Sequence, residues 1–122
     1  MNKYFGLILV SCFYFLQTNF AQEIKKGKID GQLYDANSKS PLEYATISLY
    51  SSGEKKPVTG TTTDKSGRFS LNDIPFGTYT ILLEHIGYTQ LNLPDIELNE
   101  SNSVIHLPNK LLNPQKIGRA HV

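Results

Sequence analysis

At 122 residues, with 12 basic against 11 acidic side chains, a formal charge of +1 and one cysteine, the chain excludes a nucleic-acid surface built on net charge and a disulfide-stapled scaffold. Hydrophobic residues make up 39% of it and tryptophan is absent, and a chain of this length is enough for one two-layer core and too little for a second.

Met1-Asn2-Lys3 is a short positive start, Tyr4 to Leu16 are almost wholly apolar, and Gln17-Thr18-Asn19 break the run. That order predicts a secretory signal peptide over residues 1–21, cut between Ala21 and Gln22. The apolar run falls short of the ~18 residues that a retained membrane span requires. Leu9-Val10-Ser11-Cys12 has the outline of a lipoprotein box, yet Phe13 to Leu16 stay apolar where an acylated cysteine would be followed by polar chain. Lipoprotein anchoring through Cys12 is therefore the weaker reading. With Cys12 removed the mature chain has no cysteine, so its stability must come from apolar burial alone.

Beyond the signal, Lys25-Lys26-Gly27-Lys28 leads into a first strand from about Lys28 to Tyr34, where Ile29, Gly31 and Leu33 alternate with Asp30 and Gln32. Asp35 to Pro41 reads as a turn. The second strand, Ala45 to Tyr50, puts Ala45, Ile47 and Leu49 inward and Tyr44, Thr46, Ser48 and Tyr50 outward. After a polar loop, a third strand spans Val58 to Thr63, and Asp64, Ser66 and Gly67 supply the acceptor, the small polar residue and the glycine of a tight reversal. Phe69 and Leu71 point inward from the fourth strand. Asn72 to Gly77 is read as a connection, with Pro75 fixing φ and Gly77 relieving the bend.

Tyr79, Ile81 and Leu83 share the inner face of a fifth strand, Thr78 to His85, which Gly87 breaks. Two or three weaker strands follow, around Gln90–Leu93, Ile96–Leu98 and Val104–Leu107, with Pro94 as a separator. No segment of the mature part has helical periodicity. The pattern predicts an all-β, seven-stranded antiparallel β-sandwich behind the signal peptide, since parallel neighbours would need helical crossovers.

Ile117-Gly118-Arg119-Ala120-His121-Val122 is the translation of a common short-read sequencing adapter, whose preceding bases would also complete the codon for Lys116. Residues 116–122 are therefore read as non-native and the domain as residues 22–115. Without Lys3, Lys116 and Arg119, nine basic residues face 11 acidic ones, a formal charge of −2 that offers nucleic acid no patch.

The chemistry-bearing residues are few. His85 and His106 are the only mature histidines, too few for a zinc site, and the Asp64–Gly67 run lacks the further acidic ligands of a calcium loop. No serine stands in a nucleophile elbow, and no motif calls for a cofactor or metal, so the chain is read as non-enzymatic. Tyr34, Tyr44, Tyr50 and Tyr88 are candidates for stacking on sugar rings, although outward tyrosines more commonly serve as cross-strand partners.

Gly31-Gln32-Leu33-Tyr34-Asp35, the run Pro41 to Leu49, Gly60 to Leu71, Ile74 to Tyr79 and Ile86-Gly87-Tyr88, taken in this order, resemble the carboxypeptidase regulatory-like domain. The resemblance implies a transthyretin- or prealbumin-like sandwich of the carbohydrate-binding-like fold, a name for shape that establishes no ligand. Copies directly behind a signal peptide ending in Phe-Ala-Gln are similar to those heading TonB-dependent outer-membrane receptors of Bacteroidetes-like bacteria. It implies a non-catalytic accessory domain on the periplasmic side of the outer membrane, in a nutrient-uptake protein whose plug and β-barrel would follow. Leu107 to Gln115 would then be the link to that plug. Periplasmic or outer-membrane proteins are the further partners implied, and glycans are the partners of the alternative, an independent carbohydrate-binding module. A peptidase accessory domain is a third reading and would need a metallopeptidase region beside it.

Overall fold

A computed structural model describes residues 25–115. The expected signal peptide, its Ala21/Gln22 cut, Cys12 and the adapter-like residues 116–122 lie outside them. Eight strands follow in chain order: β1 (Lys26–Asp35), β2 (Thr46–Ser51), β3 (Pro57–Thr62), β4 (Arg68–Pro75), β5 (Gly77–Glu84), β6 (Leu91–Leu98), β7 (Val104–His106) and β8 (Lys110–Leu112). One sheet runs β3-β2-β5-β6, entirely antiparallel. In the other, β1 is central, with β4 antiparallel on one side and β7 and β8 on the other.

Ile29, Leu33, Ile47, Leu49, Ile81 and Leu83 fill the space between the sheets with no exposed surface. These are the positions that the period-two alternation assigns inward, and each contributes about 1.5–3 kcal/mol through burial. Phe69, Leu71 and Tyr79 join them, as expected, and Leu42, Ile74, Leu98 and Leu112 complete the core.

Among the described residues eight strands form, close to the seven expected, the difference being that Lys110–Leu112, read as part of a linker, forms β8 and buries Leu112. Two expectations require correction. The sandwich is not wholly antiparallel: β7 pairs with the first half of β1 and β8 with its second half, both parallel. No helix is needed for this, since the chain passes through the opposite sheet between β1 and β7 and returns in the same direction. Finally, Asn72–Pro75 belongs to β4 and Pro94 lies inside β6. In each case a β-bulge absorbs the residues that look like a break, with Asp73 (φ 56°) and Asp95 (φ 60°) in the left-handed region. Both bulged strands are sheet edges, where Pro94 forfeits no ladder bond that a central strand would need.

Candidate functional site

Residues from most of the family-like motifs meet at one end of the sandwich, where the β1–β2, β3–β4 and β5–β6 loops come together, while the Ile74–Tyr79 motif forms the β4–β5 corner at the other end. Asp35 ends β1, and its Oδ1 accepts the backbone N–H groups of Asn37 (2.7 Å) and Ser38 (2.9 Å), closing an Asx-type turn. Its Oδ2 accepts the Tyr88 hydroxyl at 2.5 Å from the β5–β6 loop. This bond, followed by that of Ser38, holds the Asp35 carboxyl below its ordinary pKa of 3.8. The same carboxylate, aided by desolvation, holds the Tyr88 hydroxyl above its ordinary 10.0.

Thr63 is buried and both of its hydrogen-bonding capacities are spent on backbone: Oγ1 donates to Leu42 O (2.6 Å) and accepts from Ala45 N (2.8 Å). That bridge sews the entry of β2 to the exit of β3. Asp64 Oδ1 accepts the N–H groups of Ser66 (2.9 Å) and Arg68 (3.0 Å), making the expected reversal, and Gly67 occupies it at φ 78°. Ser66 takes part through its backbone, whose carbonyl also accepts Gln32 Nε2 at 2.7 Å. Pro75 O accepts the Tyr79 hydroxyl at 2.6 Å, locking the β4–β5 corner. Gly77 opens β5, and its φ lies outside the left-handed region that only Gly53, Gly67 and Gly87 among the described glycines enter.

The four candidate stacking tyrosines do not assemble a platform. Tyr34 is half-buried beside Pro41, Tyr50 lies at the far end of β2 from Tyr44, and Tyr88 is committed to Asp35. Tyr44 alone presents its ring openly, 73% exposed. The two histidines are likewise apart. His85 Nε2 donates to Glu43 O at 2.9 Å, tying the end of β5 to the entry of β2, while exposed His106 sits 2.7 Å from Asp30 Oδ1 on the other sheet. Among the described residues no three potential ligands converge on a metal position.

One open groove of about 650 Å³ is bordered by Lys28, Asp30, Gln32, Arg68, Ser70 and Asn109. Its donors and acceptors are mixed, with Lys28 and His106 both near Asp30, and none of the four tyrosines lines it. Phe69 also borders it, but its ring is buried in the core, 4% exposed, and is not presented as a stacking face.

The sequence model of the carboxypeptidase regulatory-like domain matches residues 28–107. The chain belongs to that family. No curated protein matches it in sequence. Among solved structures, this carboxypeptidase regulatory-like domain is similar to BcpA, the major pilin subunit of Bacillus cereus, with a TM-score of 0.61 and 21% identity over 75% of this chain and 31% of that one. A cohesin–X–dockerin complex from Acetivibrio cellulolyticus (0.55, 17%, 70% of this chain and 56% of that) and the Klebsiella pneumoniae 5-hydroxyisourate hydrolase (0.54, 19%, 74% and 93%) share the fold. The chain spans about a third of the pilin's length. At these identities the likenesses establish the sandwich, and the hydrolase carries no chemistry over to this domain.

Because Asp35 and Tyr88 are 53 residues apart in sequence, their bond was invisible to local pattern reading, although each stands in a motif of the family. It makes a pH-dependent contribution. A carboxylate with a depressed pKa stabilises the fold above its unfolded value and loses that contribution as pH falls; a phenol with a raised pKa stabilises below its unfolded value and loses it as pH rises. Tyr88→Phe is therefore expected to lower the melting temperature most between about pH 5 and 9, with the gap from wild type closing below Asp35's ordinary range and above tyrosine's. A gap that stays constant from pH 3 to pH 11 by circular dichroism would remove this bond from the stabilising set.

Proposed function

We propose that this domain is a non-catalytic interaction module of an exported protein, the periplasmic accessory domain at the head of a TonB-dependent outer-membrane receptor that takes up nutrients. The observation that carries the non-catalytic reading is the use of the motif side chains. Asp35, Tyr88, Thr63 and Asp64 all bond within the domain's own loops, so these polar side chains of the motif set maintain shape. The receptor context is supported by the signal-peptide pattern directly ahead of the domain and by the family membership.

The test is the uninterrupted reading frame beyond codon 115. The expected result is a plug followed by a β-barrel, visible as alternating strands of roughly ten residues. An early natural stop, or a hydrolase domain, would overturn the receptor reading. A glycan array and calorimetric screen on residues 22–115 are expected to show no binding, and specific affinity for a sugar would move the domain to the carbohydrate-binding alternative.

A further inference from the structure

Asn99-Glu100-Ser101, in the connection between β6 and β7, has the form Asn-x-Ser with x other than proline, the acceptor pattern for an N-linked glycan in an exported protein. No other asparagine of the chain has a serine or threonine two positions on. So short a pattern recurs by chance and is informative only where the chain also places it on an exposed turn. Here it does. Asn99 N–H donates to Asn102 O (3.3 Å) and Asn102 N–H to Asn99 O (3.1 Å), which leaves Glu100 and Ser101 at the tip of a two-residue hairpin. Glu100, Ser101 and Asn102 are exposed and Asn99 is half-buried.

The side chains of the pattern already touch. Ser101 Oγ donates to Asn99 Oδ1 at 2.8 Å, a contact that needs a hydroxyl at the third position. It polarises the carboxamide and, because that group is planar, turns Nδ2 away from the serine. Glu97, exposed and two positions earlier, projects to the same side as Asn99 by the period of a strand and offers an enzyme a charge to read beside the acceptor. The turn is braced on the start of β1, where Glu100 pairs with Lys25 and Lys28 N–H donates to Ser103 O (2.9 Å). Leu98 lies opposite Gly77, so the turn adjoins the β4–β5 corner and stands at the other end of the sandwich from the Asp35–Tyr88 bond. A bulky sugar attached there would displace neither the core nor the bonds of the motif end.

We propose that Asn99 Nδ2 is the acceptor for an N-linked oligosaccharide. The inference rests on the reading above that the protein is exported. The donor is an oligosaccharide carried on a polyprenyl pyrophosphate, and the step is a substitution at the anomeric carbon C1. The bond from C1 to the pyrophosphate oxygen breaks and its electron pair leaves with the lipid pyrophosphate, the C1–Nδ2 bond forms, and the displaced amide proton passes to a base of the transferase.

The test is peptide mass mapping of the complete native protein purified from its own cells. The peptide that spans Asn99 is expected to carry a hexose- or N-acetylhexosamine-containing adduct, with fragment ions placing it on that side chain. Asn99→Gln and Ser101→Ala should each abolish the adduct, while Ser101→Thr, which keeps a hydroxyl at the third position, should retain it; all three should be exported and fold, as circular dichroism would show. An exported protein, its signal peptide removed, with Asn99 unmodified overturns the inference and leaves the exported reading intact. A protein found in the cytoplasm with its first residues retained overturns the exported reading first and the acceptor site with it. A sugar found on a serine or threonine in place of Asn99, or an adduct on Asn99 that survives Ser101→Ala at the wild-type level, also overturns the inference.

Discussion

Gly67→Ala is expected to destabilise the domain by about 3–5 kcal/mol, most of the stability that a domain of this size possesses. Two effects add at this position. The backbone is left-handed at φ 78°, and a β-carbon would lie 2.3 Å from Leu33 O and 3.2 Å from Leu42 N. Both are backbone atoms held by their own bonds, Leu33 N to Gly67 O and Leu42 N to Leu33 O, so neither can yield without opening the start of the sandwich. Gly53→Ala is the control, because its φ of 83° carries the same conformational penalty in open space. That variant is expected to lose only about 1–2 kcal/mol. Urea melts in which the two variants differ by under 1 kcal/mol would show that the close approach at Gly67 is not what the position requires.

Phe69→Ala is expected to cost about 3–5 kcal/mol, since the ring is buried and truncation leaves a cavity bounded by rigid sheets. The ring lies over Gly31, its register partner in β1, and a β-carbon there would come within 2.8 Å of its Cζ. The glycine and the phenylalanine are therefore one packing unit, split between the two motifs that carry them. Gly31→Ala alone should destabilise by about 1–3 kcal/mol through overpacking, and in combination with Phe69→Leu part of that loss should return. Strict additivity of the two changes in equilibrium melts would mean that the ring and Gly31 do not share space.

The features legible in the sequence were those encoded at short range. Alternation in Ile29 to Leu33, Ala45 to Leu49 and Tyr79 to Leu83 specified which face each strand buries, because the period of side chains along a strand is two wherever one face is wet. The Asp64–Gly67 reversal was legible for a similar reason: its acceptor, its small residue and its glycine are adjacent. What escaped was non-local or disguised. Asp73 and Asp95 look like turn residues, and a bulge uses the same left-handed conformation that a turn does, so composition cannot tell a kinked strand from a strand's end. Leu111-Leu112 is too short to show alternation, and only pairing with β1 makes a strand of it. The bonds that order the motif end, Tyr88 to Asp35 and Thr63 to Leu42 and Ala45, join segments far apart in the chain. The ordered run of family motifs pointed to these residues without revealing which of them touch.

β8 enters the sheet parallel to β1 along Leu33–Asp35, so the first and last strands of the described domain run side by side in the same direction. Tension applied between the N-terminal and C-terminal ends of the domain would pull these neighbours along their length in opposite senses. The backbone bonds between them would be loaded together, in shear, and would have to fail as a group instead of parting one at a time like a zipper. A domain placed in line between an anchored segment and a moving one would on this geometry transmit force without unravelling, with the short β1–β8 ladder as its mechanical clasp.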